Sequence, residues 1–337
     1  MELLWAGGSV RVGGSFLSPS PLFCRMIEIS VNLATHNRAA FLESCLISLC
    51  EQTLAPSRFE ICVVANACID TTPEVVRKIA TLYPAHRVFM IEEPVPGLSR
   101  ARNCGLRSTQ APLVAHIDDD GTVYPDWLER FIARFTEFGS TLAAVSGEIE
   151  PVWESPRPAW LVEDMLPPLS AKTMMGAEPR FLSEDDWAME GNCCYRRAAL
   201  EQAGNFSENL GRAGACLLSG EGCLEHNIRK NGGRLFFDPK IILRHFIHAD
   251  RLQPLWFRQR YFWQGISCVA VQRYKAKHGL PTEKEKFLRL PLEKEDWGFI
   301  EKDTTDAIET SISQFHDLGF VLALSGIIPI EQEVSAR

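Results

Sequence analysis

The sequence predicts an α/β fold in which a mostly parallel central sheet is flanked by helices. The first observation is an alternation, from residue 27 to about residue 147, of short apolar runs with segments whose apolar residues recur at helical spacing. The second is that the connections between these segments are short, as they are in βαβ units. The third is size, because 337 residues with 46% hydrophobic and 23% charged residues can form a large buried core.

Each predicted element rests on its own pattern. Apolar and polar residues alternate over 27–33, which indicates a strand, and apolar residues recur at helical spacing over 42–52, which indicates a helix. At Thr71-Thr72-Pro73 we expect a threonine N-cap with proline in the first turn of the next helix. The expected buried face of that helix is Val75, Val76, Ile79 and Leu82. The remaining predicted elements are strands over 59–64, 88–91, 113–117 and 142–145 and helices over 98–106 and from Pro125.

The second half of the chain is less regular. Residues 151–168 contain five prolines, so we predict an irregular loop that packs over one face of a site. From about residue 254 the pattern is helical and aromatic. We interpret an aromatic and polar cluster there as packing against the main sheet, with ligand contact as the alternative. Its members are Trp256, Arg258, Arg260, Tyr261, Trp263 and Gln264.

Composition limits the class of protein. The net charge of −8 argues against non-specific binding of nucleic acid as the main function. Eleven cysteines show no regular framework and no CxxC pair, which is typical of reduced thiols in a cytosolic protein. No segment reaches the ~18 apolar residues that a membrane-spanning helix needs. Residues 1–25 are rich in glycine and serine and are predicted to be a disordered leader, with Met26 as a candidate start.

Three adjacent carboxylates, Asp118, Asp119 and Asp120, follow the apolar run 113–117 directly and precede Gly121. A buried strand that ends in carboxylates places them at the carboxyl edge of a sheet, where open α/β folds bind ligands. Three carboxylates repel each other unless a cation lies among them, and a divalent cation is the usual answer. The alternative is a solvated acidic turn that caps the next helix. Aspartate-rich turns are frequent, so the triplet alone favours the solvated turn, and the rest of the chain has to decide.

The order of motifs along the chain resembles the family 2 glycosyltransferases, which have the GT-A fold. The resemblance covers residues 27 to about 250. The motifs that carry it are Thr35-His36-Asn37-Arg38, Val63-Val64-Ala65-Asn66, Gly97-Leu98-Ser99-Arg100-Ala101-Arg102-Asn103, Asp118-Asp119-Asp120, Gly191-Asn192, Leu210-Gly211-Arg212, Ser219-Gly220-Glu221 and Pro239 followed by His245. It implies a nucleotide-binding half at 26–147, an acceptor-side half at 148–250 and a helical C-terminal extension at 251–337.

This resemblance implies a metal-dependent, inverting enzyme that moves a sugar from a nucleoside-diphosphate sugar to an acceptor hydroxyl. Mg²⁺ or Mn²⁺ bridging the two phosphates would neutralise the charge of the leaving group. By the resemblance, Asp120 is the direct metal ligand, and Asp118 contacts the ribose or the ion's water. Asp119 is then the spacer, and His245 completes the coordination.

The donor nucleotide is assigned by the same resemblance to residues at the ends of the first two predicted strands. Thr35, Asn37 and Arg38 follow the first strand, and Asn66 ends the second, where an amide can both donate to and accept from a pyrimidine such as uracil. Arg102 is expected to steady the phosphates or the acidic pair. The acceptor is expected to be a carbohydrate or a lipid-linked sugar in polysaccharide or glycolipid synthesis. We therefore expect a cytoplasmic enzyme, in peripheral contact with the inner face of the membrane if its acceptor is lipid-linked.

The catalytic base is where the chain departs from the family. Relatives place two acidic residues after Ser-Gly at the start of a helix, and the second is the usual base. Here the pair reads Glu221-Gly222, so the usual position has no side chain. We prefer Glu221 as the base, with Glu225, one helical turn later, as the second candidate. The third alternative is a protein that binds a sugar nucleotide with weak or no turnover.

A dinucleotide-dependent oxidoreductase is excluded because the first strand is followed by Thr35-His36-Asn37-Arg38, without the glycines of G-x-G-x-x-G. A glycosidase also uses paired carboxylates, but it needs neither a nucleotide-type sheet nor an adjacent aspartate triplet.

Overall fold

The structure is a computed structural model that describes residues 27–277, apart from 174, 185, 209, 214, 215 and 218–220, together with residues 279 and 304–328. The predicted leader at 1–25 and Met26 lie outside the described residues. At the described positions within 212–222, the description extends to the backbone alone.

The first part of the chain, through residue 138, alternates strands and helices in the predicted order. Its elements are β1 (Ile29–Thr35), α1 (Ala39–Cys50), β2 (Phe59–Asn66), α2 (Thr72–Leu82), β3 (Arg87–Glu93), α3 (Leu98–Ser108), β4 (Leu113–Asp118), β5 (Gly121–Val123) and α4 (Trp127–Phe138). The second half follows with β6 (Leu142–Trp153), β7 (Arg180–Phe181), β8 (Asn192–Arg196), α5 (Arg197–Gln202), β9 (Arg212–Ala213), β10 (Cys216–Leu217), α6 (Glu221–Lys230), β11 (Arg234–Ile247), α7 (Pro254–Lys277) and α8 (Thr305–Leu324).

A nine-stranded sheet carries the fold, in spatial order β3-β2-β1-β4-β8-β6-β11-β5, with β7 added beside β11. The four strands β1 to β4 are parallel to one another. Thr35 pairs with Ala65, and Ala34 pairs with Asp118, so the carboxyl ends of the first, second and fourth strands meet at one edge. Helices α1 and α4 cover one face, where leucine and phenylalanine side chains form the main core. The predicted α/β fold is confirmed.

The second half of the sheet is mixed. β8 runs antiparallel to β4 and β6, and β11 runs parallel to β6 but antiparallel to β5 and β7. The prediction that residues from Pro151 onward are irregular is wrong for the first three, because β6 continues to Trp153 and Pro151 pairs with His245. β8 pairs with β6 only at 144–146. Beyond that point β6 has a free edge among the described strands, where proline's missing N–H is tolerated.

The predicted start of α2 is confirmed in position but not in its side-chain cap. Thr71 is the N-cap residue and Pro73 lies in the first turn, but the Thr71 side chain makes no capping hydrogen bond. Instead, Asp70 Oδ1 accepts hydrogen bonds from the N–H and hydroxyl of Thr72, at 3.2 and 2.7 Å. A carboxylate accepts these bonds more strongly than a hydroxyl would, so Asp70 supplies the side-chain cap. Leu82 is 59% exposed rather than buried, because it is the last residue of the helix and extends past the core.

The C-terminal helices α7 and α8 pack closely side by side, which confirms that the C-terminal part is helical. A Cβ on Gly265 would lie 1.9 Å from the carbonyl oxygen of His316, and one on Gly319 would lie 2.0 Å from that of Phe262. Both positions therefore require glycine. The start of α8 packs on the segment 161–169 in a separate apolar cluster. Among the described residues, no helix is both long enough and apolar enough to cross a bilayer.

Candidate functional site

A cavity of about 790 Å³ opens at the carboxyl edge of the sheet. The ends of β1, β2 and β4 and the start of α3 line one side. The other sides are lined by parts of 164–173, by 187–191 and by one face of α7. This volume lies within the range of roughly 300–1,000 Å³ that is usual for small-molecule sites. The predicted irregular segment is therefore present after β6 ends at Trp153, and it lines the cavity from residue 164 onward.

Asp118, Asp120 and His245 converge in this cavity, with one potential ligand atom of each within 4.8 Å of the others. His245 Nδ1 lies 2.9 Å from the carbonyl oxygen of Ser170. That contact requires a proton on Nδ1, so the neutral form of the ring, which is the form that binds a metal, presents the lone pair of Nε2. Nε2 lies 3.2 Å from Asp120 Oδ1, a buried oxygen without a hydrogen-bond partner in the described part of the chain. Two facing lone pairs with a second carboxylate nearby fit a divalent cation.

Positive side chains surround Asp120 on its remaining side. Arg38 Nη2 lies 2.5 Å and Arg251 Nη2 lies 3.6 Å from Asp120 Oδ2. Burial alone would raise the pKa of Asp120, but the protonated form of His245 and the charges of Arg38 and Arg251 hold that pKa well below its usual range. The carboxylate is therefore ionised at physiological pH, which is the state that a metal ligand needs.

Asp119, expected to be a spacer, instead anchors two predicted site residues. Its Oδ2 accepts a hydrogen bond from the Thr35 hydroxyl at 2.7 Å, and its Oδ1 lies 2.9 Å from Arg38 Nη1. Burial raises the pKa of Asp119 to about 7, against the lowering effect of Arg38. The side chain between the two candidate metal ligands, Asp118 and Asp120, thus fixes the end of β1 and orients the guanidinium of Arg38.

Asn66 lines the cavity and organises the chain around it. Its Nδ2 donates to the carbonyl oxygens of Glu93 and Val95, at 3.0 and 2.7 Å, and its Oδ1 accepts from the Gly97 N–H at 2.8 Å. Both amide hydrogens are therefore used, while Oδ1 retains a second lone pair. Gly97 precedes α3 with φ of 150°, so Asn66 also positions the start of the helix that carries Arg102.

Asn37 is the predicted nucleotide residue that does not line the cavity. It lies in the left-handed region, with φ of 53°, and its Oδ1 accepts a hydrogen bond from the Ile69 N–H at 2.7 Å. It therefore joins the turn after β1 to the turn after β2. The other predicted donor and metal residues line one cavity: Thr35, Arg38, Asn66, Arg102, Asp118, Asp120 and His245.

Arg102 is buried between two carboxylates. Its Nη1 makes a short ion pair with Glu190 Oε2, and its Nη2 lies 3.9 Å from Asp118 Oδ1. Gly191 allows this arrangement, because a Cβ there would lie 2.4 Å from Asp118 Oδ2. Sequence reasoning missed Glu190. Its signal was weak, since it is a single acidic residue before the Gly191-Asn192 motif.

The structure excludes one of the two candidate bases from the cavity and leaves the other untested. Glu225 is fully buried and its Oε1 accepts a hydrogen bond from the Ala188 N–H at 2.8 Å. It does not line the cavity, so its role is to hold the segment before Gly191. Glu221 is the first residue of α6, but its side chain lies outside the described residues.

The aromatic cluster of α7 is divided between packing and the cavity. Arg258 is buried and its Nε donates to Ser311 Oγ at 3.1 Å, as the packing interpretation predicts. Trp256 and Tyr261 pack on the apolar cluster beside α8 and also line the cavity. Arg260 and Gln264 line the cavity as well. The packing interpretation therefore accounts for only some of these residues, since others on α7 line the cavity.

The family is shown by comparison with known proteins. The family model described as "Glycosyl transferase family 2" matches residues 30–200, which is about half of the chain. The chain belongs to this family, and all the predicted metal and donor residues except His245 lie within the matched range.

Curated relatives agree with this assignment. Glycosyltransferase AglE of Haloferax volcanii is 31% identical over 122 residues, which is 36% of this chain and 39% of that protein. The glucosyl-dolichyl phosphate glucuronosyltransferase of the same organism is 25% identical, over 51% of this chain and 54% of its own. The chain thus spans about half or less of the length of these two. ExoM, a succinoglycan biosynthesis protein of Rhizobium meliloti, is 26% identical over 75% of this chain and 78% of its own.

Solved structures support the fold. The mannosyltransferase PcManGT from Pyrobaculum calidifontis, in complex with GDP-Man and Mn²⁺, has a TM-score of 0.54 at 19% identity, over 90% of this chain and 77% of that one. S. aureus TarS 1–349, in complex with UDP-GlcNAc, has a TM-score of 0.53 at 15% identity, over 89% of this chain and 92% of that one.

Proposed function

We propose that this chain is an inverting glycosyltransferase that moves a sugar from a nucleoside-diphosphate sugar to an acceptor hydroxyl and depends on Mg²⁺ or Mn²⁺. The observation that carries the proposal is the convergence of Asp118, Asp120 and His245 in the wall of the cavity at the sheet edge. A family 2 domain and a sugar-nucleotide type of fold support it.

Oxygen and imidazole ligands would hold the ion at Asp120 and His245, with Asp118 beside it or on the ribose. When bound, the ion supplies Lewis-acid stabilisation of the diphosphate leaving group. The residues of the chain add fixed positive charge at the same place. Arg38 and Arg251 both approach Asp120, and we propose that their guanidinium groups bind the phosphate oxygens of the donor.

We propose a uridine diphosphate sugar as donor. Asn66 retains one lone pair on Oδ1 at the cavity wall, and the N3–H of uracil is a donor that matches it. Thr35 and Arg38 approach the same side of the cavity, and Asn37 contributes by fixing the turns after β1 and β2. Solved neighbours carry GDP-Man in one case and UDP-GlcNAc in the other, so the base preference has to come from the chain's own residues.

For the acceptor we propose a carbohydrate or a lipid-linked sugar, bound beside α7. Trp256 and Tyr261 contribute aromatic side chains to the lining of the cavity, and Arg260 and Gln264 contribute hydrogen-bond donors. The names of two relatives, one acting on a dolichyl phosphate sugar and one in succinoglycan biosynthesis, are consistent with either type of acceptor.

Nine described cysteines are free thiols, which supports action in a reducing compartment.

Glu221 is the proposed base, at the first position of α6. Glu221→Gln is expected to lower transfer by ~10²–10⁴-fold and to leave nucleotide binding intact. Retained transfer in that variant would show that Glu221 is not the base.

A second function is a sugar-nucleotide-binding protein with little turnover, which Gly222 favours because it removes the side chain from the usual base position. A panel of sugar nucleotides with Mn²⁺ separates the two functions. Binding accompanied by transfer or slow donor hydrolysis supports the enzyme, whereas binding without either supports the second function.

A further inference from the structure

Glu190 presents a buried carboxylate oxygen whose purpose the metal and donor sites do not explain. The residue is 5% exposed and lines the cavity. Its Oε2 pairs with Arg102. Its Oε1 is buried and has no hydrogen-bond partner in the part of the chain that the structure describes. A buried carboxylate oxygen without a donor is costly, so this position favours a ligand that brings an O–H or N–H group.

The position of Glu190 in the fold indicates which ligand that is. The next residue, Gly191, packs against the carboxylate of Asp118. Two residues earlier, the Ala188 N–H donates to Glu225, which lies one helical turn after Glu221 at the start of α6. Glu190 thus lies between the metal-site carboxylates and the helix that carries the proposed base.

Charge also fits a neutral, hydroxyl-bearing ligand. The guanidinium of Arg102 compensates the charge of Glu190, and the pair as a whole attracts neither a cation nor an anion strongly. A carboxylate accepts hydrogen bonds from sugar hydroxyls at short range, and these charge-assisted bonds are about twice as strong as neutral ones.

We propose that Glu190 binds the acceptor: Oε1 accepts a hydrogen bond from an acceptor hydroxyl other than the one that is glycosylated. This proposal rests on the proposed function, in which the proton of the reacting hydroxyl goes to Glu221. Glu190 thereby favours acceptors that carry this second hydroxyl.

The test compares the transfer kinetics of Glu190→Gln with those of wild type. The acceptors are methyl glycosides and their monodeoxy analogues. The donor is the sugar nucleotide that gives the largest Mn²⁺-dependent thermal shift. For the parent acceptor, Glu190→Gln is expected to raise KM about tenfold or more, because a charged hydrogen bond is lost. The nucleotide affinity and donor hydrolysis without acceptor are expected to change much less than the acceptor KM. Glu92→Gln is the matched control, since Glu92 is exposed on β3 and away from the cavity.

The deoxy series identifies the hydroxyl. Wild type is expected to lose affinity for one particular monodeoxy acceptor, and Glu190→Gln is expected to show no further loss with that same acceptor. If Glu190→Gln proves unstable, Glu190→Asp, which retains the charge but withdraws the carboxylate, is compared in the same way.

Two results would overturn the assignment. Weaker nucleotide binding with unchanged acceptor KM would show that Glu190 serves only to hold Arg102. A large fall in kcat with unchanged KM, together with an active Glu221→Gln, would make Glu190 the base instead. Absence of nucleotide binding and transfer in wild type is a different result, which refutes the proposed function itself.

Discussion

Asn66→Ala is expected to destabilise the protein by about 2–4 kcal/mol, because three hydrogen bonds of a side chain that is 5% exposed are lost together. Each bond contributes about 0.5–1.5 kcal/mol net. The backbone groups of Glu93, Val95 and Gly97 lose their partner, and these residues are half-buried, so water can replace part of the loss. The same change frees the start of α3 and is therefore expected to weaken nucleotide binding as well.

Urea denaturation followed by far-ultraviolet circular dichroism measures the free energy of unfolding. Asn231→Ala is the matched control, since Asn231 is exposed and its Nδ2 makes one hydrogen bond, at 3.1 Å to Gln202 O. Its expected effect is within about 0.5 kcal/mol. If the Asn66→Ala variant unfolds at the same urea concentration as the control, the hydrogen bonds of Asn66 to residues 93–97 do not stabilise the protein as proposed.

Three further predictions concern the metal site and the segment beside it. His245→Ala is expected to weaken Mn²⁺ binding about tenfold or more, measured by calorimetry; unchanged affinity would exclude His245 as a ligand. Gly191→Ala is expected to displace Asp118, since the new Cβ would lie 2.4 Å from its Oδ2, and to weaken Mn²⁺ binding without unfolding the protein. Arg180 holds the pKa of Asp186 below its usual range, so the stabilisation is present above the unfolded pKa of about 4 and is lost as the pH falls below it. Asp186→Asn is therefore expected to be less stable than wild type at neutral pH, with a difference that shrinks in acid; a difference independent of pH would contradict this.

Local patterns in the sequence were sufficient for the first half of the sheet. Strands β1 to β4 are short, apolar and joined by helices with regular spacing, so their order and the position of Asp118 at the sheet edge could be predicted. The convergence of Asp120 and His245 also followed, but through the family resemblance, because 125 residues separate them in the chain.

Features that depend on long-range packing could not be predicted. Pro151 can lie in a strand because, among the described strands, only β11 pairs with β6 at that position. Local propensity does not contain this information, because it depends on the order of strands in the sheet. Glu190 meets Arg102 across 88 residues, without any motif that marks the pair. The hydrogen bonds of Asn66 to residues 93–97 could not be predicted either, because they depend on the path of the chain after β3.

The most direct test of the central claim is thermal unfolding with uridine and guanosine diphosphates, in Mn²⁺ or in EDTA, for wild type and Asp120→Asn. A metal-dependent diphosphate site predicts a rise in Tm for wild type with nucleotide and Mn²⁺ together, larger for uridine diphosphate, and no such rise in EDTA or in Asp120→Asn. No shift with any nucleotide, or an equal shift in EDTA and in the variant, would contradict the assignment of Asp118, Asp120 and His245 as the metal–diphosphate site.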